Sequence, residues 1–177
     1  WHLGVEGADA VTARTVVLSS GLDHALDAPH PRTRGLQTWW FAADEAPSAD
    51  AALRVDGRRR GPIVNTAVMT NTAPTYAPRG QHLIQATCVM PSDAAEDEVR
   101  RQLGEVWQAD TRPWRLLRRD DITHALPAQD PPLRLRRPVR LDDGRYLAGD
   151  HRDSASIQGA LVSGQRAAEA VLADLAR

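Results

Sequence analysis

Arg145-Tyr146-Leu147-Ala148-Gly149-Asp150, a loop from His151 to Ala155, and Ser156-Ile157-Gln158-Gly159-Ala160-Leu161-Val162-Ser163-Gly164-Gln165-Arg166-Ala167-Ala168 form the stretch whose reading decides the fold. A short apolar run that stops at Gly-Asp predicts a strand over 145–149. The apolar periodicity after it predicts a helix over 156–175, with Ile157, Leu161, Ala168, Val171, Leu172 and Leu175 on its buried side. In an α/β layer, ligands collect beyond the carboxyl ends of the strands. There the unpaired N–H groups and positive end of the following helix attract electron-rich oxygens. Gly149 permits a tight turn, and Asp150 can accept hydrogen bonds from sugar-like hydroxyls. Gly159 and Gly164 each cost the helix roughly 1 kcal/mol against alanine, so each is expected to have a packing or binding reason. Taken alone, these residues fit a ligand site and a plain strand–helix unit equally well.

Working backwards, the alternation Ile84, Ala86, Cys88, Met90 against Gln85 and Thr87 predicts a strand over 82–90 with one apolar face. Strands are also expected over 13–20, 38–43, 51–55, 63–70 and 114–117. Residues 22–37 read as a connection, and 73–80 as a loop set by Pro74, Pro78 and Gly80. A helix is expected over 93–109, opened by the capping-box spacing of Asp93 and Glu96. Its apolar face carries Val99, Leu103, Val106 and Trp107. Residues 125–138 form a proline-rich crossing.

Composition narrows the function classes. The chain has 177 residues, 42% hydrophobic and 25% charged, with a formal net charge of -1. This suits a folded soluble protein with a real core. All 22 cationic side chains are arginines, which fits a genomic base bias. Neutrality gives no general attraction to nucleic acid. Arg58-Arg59-Arg60 and Arg134 with Arg136-Arg137 lack interleaved aromatics and read as solvated surface. No run is long enough to span a membrane. The single cysteine, Cys88, and the lack of a leader point to a cytoplasmic location.

The stretch 146–150 with 156–168 closely resembles the C-terminal flavin-binding signature of the flavin-containing amine oxidase superfamily. Pro74-Thr75-Tyr76-Ala77-Pro78-Arg79-Gly80-Gln81-His82-Leu83 is similar to a turn and strand of its phytoene desaturase-like branch, the branch shared with protoporphyrinogen oxidase. Ala13 to Ser20 looks like the strand by which such enzymes leave their FAD domain. The resemblance implies an α+β, two-part FAD-linked oxidoreductase fold. Residues 1–21 and 139–177 would belong to a Rossmann-like FAD-binding domain. Residues 22–138 would form a substrate domain with an antiparallel sheet and the 93–109 helix.

The same resemblance implies FAD as cofactor, held by Gly149, Asp150, Ser156, Ile157, Gln158 and Gly159. Asp150 would meet the ribityl or pyrophosphate part, and the 156–158 backbone would meet the pyrimidine edge of the flavin. Gly159 would permit close approach. The implied reaction is hydride transfer from an apolar or amine small molecule to the flavin. The family's opening Gly-x-Gly-x-x-Gly turn, which cradles the pyrophosphate, is missing from this sequence. The chain is therefore expected to be a fragment that binds FAD poorly alone, and to self-associate or pair with an N-terminal FAD-domain segment.

Trp39, Phe41 and Tyr76 are candidates to line a substrate pocket, against the plainer reading of Trp39 and Phe41 as core. His2, His24, His30, His82, His124 and His151 lack ligand spacing, so no metal site is expected. Ser19, Ser154 and Ser163 lack a nucleophile elbow, and no catalytic acid or base stands out. Competing readings are a flavin-less interaction module of the same fold and a nucleotide- or anion-binding module.

Overall fold

The alternation around Cys88 becomes the centre of a sheet. In the computed structural model, which describes residues 1–20, 32–141 and 143–176, His82–Val89 is strand β7 of a sheet ordered β5-β6-β7-β4-β8. The other members are β4 (Thr33–Ala43), β5 (Arg54–Val55), β6 (Ile63–Val68) and β8 (Arg115–Pro127). β7 runs antiparallel to β4, from Leu36 opposite Val89 to Ala43 opposite His82, and antiparallel to β6. One face, carrying Trp39, Phe41, Val68, Ile84, Ala86 and Cys88, forms a core with α2 (Glu96–Trp107) through Val99, Leu103 and Trp107. Between β6 and β7 lie a single helical turn, α1 (Met69–Thr72), and a 3-10 turn, Pro74–Tyr76.

Two expectations change at α2. The helix begins at Glu96, not Asp93, and its N-cap Ala95 offers no side-chain bond. Ser92 Oγ instead accepts from the Ala94 amide, and the Glu96 carboxylate is drawn forward to Arg100 Nε at 2.7 Å. These local side-chain bonds compete with the capping box. Gln102, absent from the expected apolar face, is fully buried. Its amide accepts from Ile63 N–H at 2.7 Å, donates to Ile63 C=O at 3.0 Å, and donates to Asp56 Oδ2 at 2.8 Å.

β8 is much longer than the expected 114–117 strand. Arg118 pairs with Asp120 and Arg119 with Asp121. Residues two apart share a strand face, so Arg-Arg-Asp-Asp pairs its own charges along this edge strand, which protects the edge from further pairing.

By its contacts the chain divides into two compact units, Thr33–Leu126 as above and Trp1–Arg32 with Pro127–Arg177. The latter contains an antiparallel hairpin of β1 (His2–Val5) and β2 (Ala8–Thr12), and a parallel pair of β3 (Val16–Leu18) with β9 (Arg145–Leu147). It ends in the helix α3 (Ile157–Leu175). The architecture as a whole is α+β. Of the connection expected over 22–37, residues up to 31 lie outside the described residues, as do His24 and His30; Thr33–Gln37 belongs to β4.

The buried face of α3 is not the expected one. Gly159, Ser163 and Ala167 are its buried residues, whereas Ile157, Leu161 and Leu172 are 78%, 70% and 68% exposed. Ala167 joins Val139, Tyr146 and Ala148 in a small core. Small side chains at spacing four let the helix backbone settle onto β9, and the bulky apolar residues then project elsewhere.

Candidate functional site

β9 ends where the sequence placed the chemistry. The ladder closes with Ala148 N–H donating to Leu18 C=O at 2.9 Å, and the chain then turns at Gly149, whose φ of 145° is a region that L side chains rarely adopt. A Cβ there would also lie 2.7 Å from the His151 ring. A 3-10 turn, Asp150–Arg152, follows, and α3 starts after Ser156. The structure thus brings Gly149, Asp150, Ser156, Ile157, Gln158 and Gly159 into this strand–turn–helix segment.

Each has a definite local role. Ser156 is the helix N-cap: its Oγ accepts from Gly159 N–H at 3.0 Å, and its C=O accepts from Ala160 N–H. The Ile157 and Gln158 amides, in the first turn, have no protein acceptor among the described residues, and both residues are exposed. They carry the positive end of the helix dipole. The Asp150 side chain has no ion-pair or hydrogen-bond partner among the described residues. Gly159 has a packing reason: a Cβ would sit 1.8 Å from the carbonyl oxygen of Ser154. The position that a side chain at 159 would take is filled by that carbonyl.

The turn is held by groups that the sequence reading passed over. Ser163 Oγ, fully buried, accepts from Gly149 N–H at 2.8 Å. Its proton can go to Gly149 C=O or Ala160 C=O, each at 2.8 Å. Arg166 Nη1 donates to Arg152 C=O at 3.2 Å and to Asp153 Oδ2 at 3.3 Å, while Nη2 donates to Arg137 C=O at 2.6 Å. His151 is buried and, among the described residues, its Nδ1 has no partner. Burial, with the charge of Arg152, pushes its pKa below the ordinary imidazole value. The helical spacing of Ser163 and Arg166 was legible; that both reach back to one turn was not.

The pocket candidates separate. Trp39 and Phe41 are 3% and 0% exposed, beneath α2 and crossed by Arg119 and Arg100 guanidinium groups at 5.3 and 4.9 Å. They belong to the core. Strand alternation turns their neighbour Trp40 to the opposite face, where its indole N–H donates to Asp120 at 3.0 Å and Gln85 lies across from it. Tyr76, 60% exposed, ends the 3-10 turn. Cys88 sits in the core, and its burial pushes the thiol up to about 11.

Among the described residues, no three His, Cys, Asp or Glu side chains converge as metal ligands, and no helix is long and apolar enough to cross a membrane. The Arg58–Arg60 run is partly paired, Arg60 meeting Asp56 and Glu105.

A model of the flavin-containing amine oxidoreductase family matches residues 3–172. Among solved structures, a Pyrococcus furiosus protein is similar with a TM-score of 0.60 at 11% identity, over 92% of this chain and 42% of that one. An oxidoreductase from Methanosarcina mazei is similar with a TM-score of 0.49 at 17% identity, over 78% of this chain and 35% of that one. The chain thus spans well under half the length of either. The first likeness shows a shared fold. No curated protein matches the sequence.

Proposed function

The chain belongs to the family of flavin-containing amine oxidoreductases, and from that premise we propose that it carries the closing part of an FAD site, built from the turn after β9 and the first turn of α3. The observation that carries this reading is a carboxylate at Asp150 without a partner among the described residues, set in the turn leading into a helix whose Ile157 and Gln158 amides have no acceptor there either. An acceptor and two donors of that kind suit a ligand that offers hydroxyls along one side and electron-rich oxygen and nitrogen at its end. FAD is such a ligand: Asp150 would accept from its ribityl or pyrophosphate part. The α3 amides and dipole would favour electron density at the N1–O2 edge of its ring, a preorganised electrostatic contribution. Gly149, Ser156 and Gly159 act in this reading by shaping the backbone. Ser154 fills the space beside Gly159, which lets the loop and the cap close tightly.

Bound FAD would supply the two-electron chemistry, hydride acceptance from an apolar or amine small molecule. The unit Thr33–Leu126 would serve as the substrate domain, with the Trp40 face of its sheet and the Tyr76 turn as the surfaces for substrate. Trp1–Arg32 with Pro127–Arg177 would be the FAD-domain part, completed by a strand–Gly-x-Gly-x-x-Gly–helix segment of the same or another polypeptide. Two features of that unit support this: among the described residues its parallel sheet is a pair of strands, and Val17, Ile157, Leu161 and Leu172 are exposed. The Tyr76 motif favours the phytoene desaturase-like branch.

The test is optical. The intact protein containing this chain is expected to purify yellow, with flavin absorbance, and Asp150→Ala to lose most of it. An intact protein that stays colourless after incubation with FAD overturns the reading in favour of a flavin-less interaction module.

A further inference from the structure

We propose that Ser163 and Arg166, on one face of α3, are positioning residues that clamp the Gly149–Asp153 turn from both ends and thereby set where the Asp150 carboxylate stands. The proposal rests on the flavin reading of this corner and adds to it two residues that make no contact with the cofactor.

The turn has little of its own to hold it. Its internal backbone bonds are Arg152 N–H to Gly149 C=O at 3.0 Å and a long one, Asp153 N–H to Asp150 C=O at 3.3 Å. Its first residue sits at a φ of 145°, which only glycine adopts without strain, so the backbone torsions alone define it weakly. Among the described residues no partner fixes the Asp150 side chain, and its position follows from the backbone on either side.

That backbone is held by α3 and, at Arg152 C=O, also by Arg137 N–H at 3.0 Å. At the leading end, Ser163 Oγ engages both the N–H and the C=O of Gly149, each at 2.8 Å. The hydroxyl is fully buried, so water does not compete for it. At the trailing end, Arg166 takes Arg152 C=O and the Asp153 carboxylate with one nitrogen and Arg137 C=O with the other, its side chain only 16% exposed. The planar guanidinium spans several acceptors at once in a way that an ammonium does not. Ser163 also lies on the stripe Gly159, Ser163, Ala167 by which α3 sits on β9. Serine is the smallest side chain that both fits that stripe and carries a hydroxyl. The helix whose N-terminal amides face the ligand therefore also holds the carboxylate that does so, and the two are kept in register by one rigid element.

The test uses the intact protein carrying this chain, stripped of flavin and titrated with FAD, with visible circular dichroism of the bound flavin as a second readout. Both are measured well below the unfolding temperature. Ser163→Ala and Arg166→Met are each expected to weaken FAD binding about tenfold and to alter the dichroism. The double variant should lose less than the product of the two, because both act on one turn. Arg166→Lys, which keeps the charge, should resemble Arg166→Met and not the parent. Should Ser163→Ala fail to fold, Ser163→Cys, of nearly the same size and a weak donor, takes its place. FAD affinity and dichroism unchanged in the folded variants, with only the melting temperature lowered, would overturn the proposal and leave these residues as structural glue. Asp150→Asn separates this from the parent reading. If the intact protein binds no FAD at all, the flavin reading fails; if Asp150→Asn alone weakens binding and the Ser163 and Arg166 variants do not, only the positioning proposal fails.

Discussion

Gly159 and Gly164 share the helix α3, and replacing each with alanine should move stability in opposite directions. Alanine gains roughly 1 kcal/mol of intrinsic helix propensity over glycine at either position. At Gly164 a Cβ meets nothing within 4 Å, so that gain should appear nearly undiminished in this chain. At Gly159 the Cβ would lie 1.8 Å from the Ser154 carbonyl oxygen and 2.7 Å from its hydroxyl, and the first is a backbone atom. The 154–156 loop must move. Overpacking of this kind costs about 1–3 kcal/mol, and displacing the Ser156 cap about 1 more, which together outweigh the propensity gain. A net loss of about 1–3 kcal/mol is expected for Gly159→Ala. With about 2–4 °C per kcal/mol for a chain of this size, the melting temperature should fall by roughly 2–12 °C, against a rise of a few degrees for Gly164→Ala. Thermal unfolding followed by circular dichroism at 222 nm reads both. A Gly159→Ala chain as stable as its Gly164→Ala counterpart would refute the placement of Ser154 against α3, and with it the account of why glycine occupies position 159.

Gln102→Leu should destabilise the sheet unit by about 2–4 kcal/mol in urea titration, because it leaves the Ile63 N–H and C=O unpaired in the core; a loss below 1 kcal/mol would show that the core relaxes around them. Cys88 should resist alkylation at pH 8 in the folded chain and react at once in denaturant, since the thiol is buried with its pKa raised to about 11. Because the folded pKa lies above the unfolded one, the stability that Cys88 contributes is complete below about pH 9 and is lost as pH rises towards 11. Cys88→Ala should flatten the stability profile in that window, and an unchanged slope would contradict the assignment.

Much of this protein was legible because its strongest signals are local. The alternation of Ile84, Ala86, Cys88 and Met90 with Gln85 and Thr87 points to a strand with one apolar face, and the sheet places Ile84, Ala86 and Cys88 in the core. The Gly-Asp stop after Leu147, with a serine before a long periodic run, marks a strand end and an N-cap, and both are there. β8 was half legible. Its charged centre hides the apolar pattern, yet Arg118-Arg119-Asp120-Asp121 sets opposite charges two residues apart, and reading that as well as hydropathy would have extended the strand. The capping box at Asp93 misled because Ser92 and Arg100 offered nearer partners to the same groups.

The choice between Trp39 and Trp40 shows where local information ends. Adjacent strand residues necessarily face opposite ways, but which of them lies under a helix depends on where α2 crosses the sheet. The same holds for α3. Periodicity specified a helix, and counting large apolar residues picked out a face of which Val171 packs on the small core while Ile157, Leu161 and Leu172 stay exposed in this chain, because area weighting favours leucine and isoleucine over glycine and serine. Close approach to β9 rewards the reverse, and only the packed structure reveals it.

Sequence alone determined the order of strand, glycine turn, acid and capped helix, and through it the family, since each rests on bonds made within a few residues. Tertiary structure alone decided what fills the space beside Gly159, which aromatic is buried, and that Ser163 and Arg166 grip the turn bearing Asp150. Those outcomes depend on distances between segments far apart in the chain, set by the packing of one surface against another.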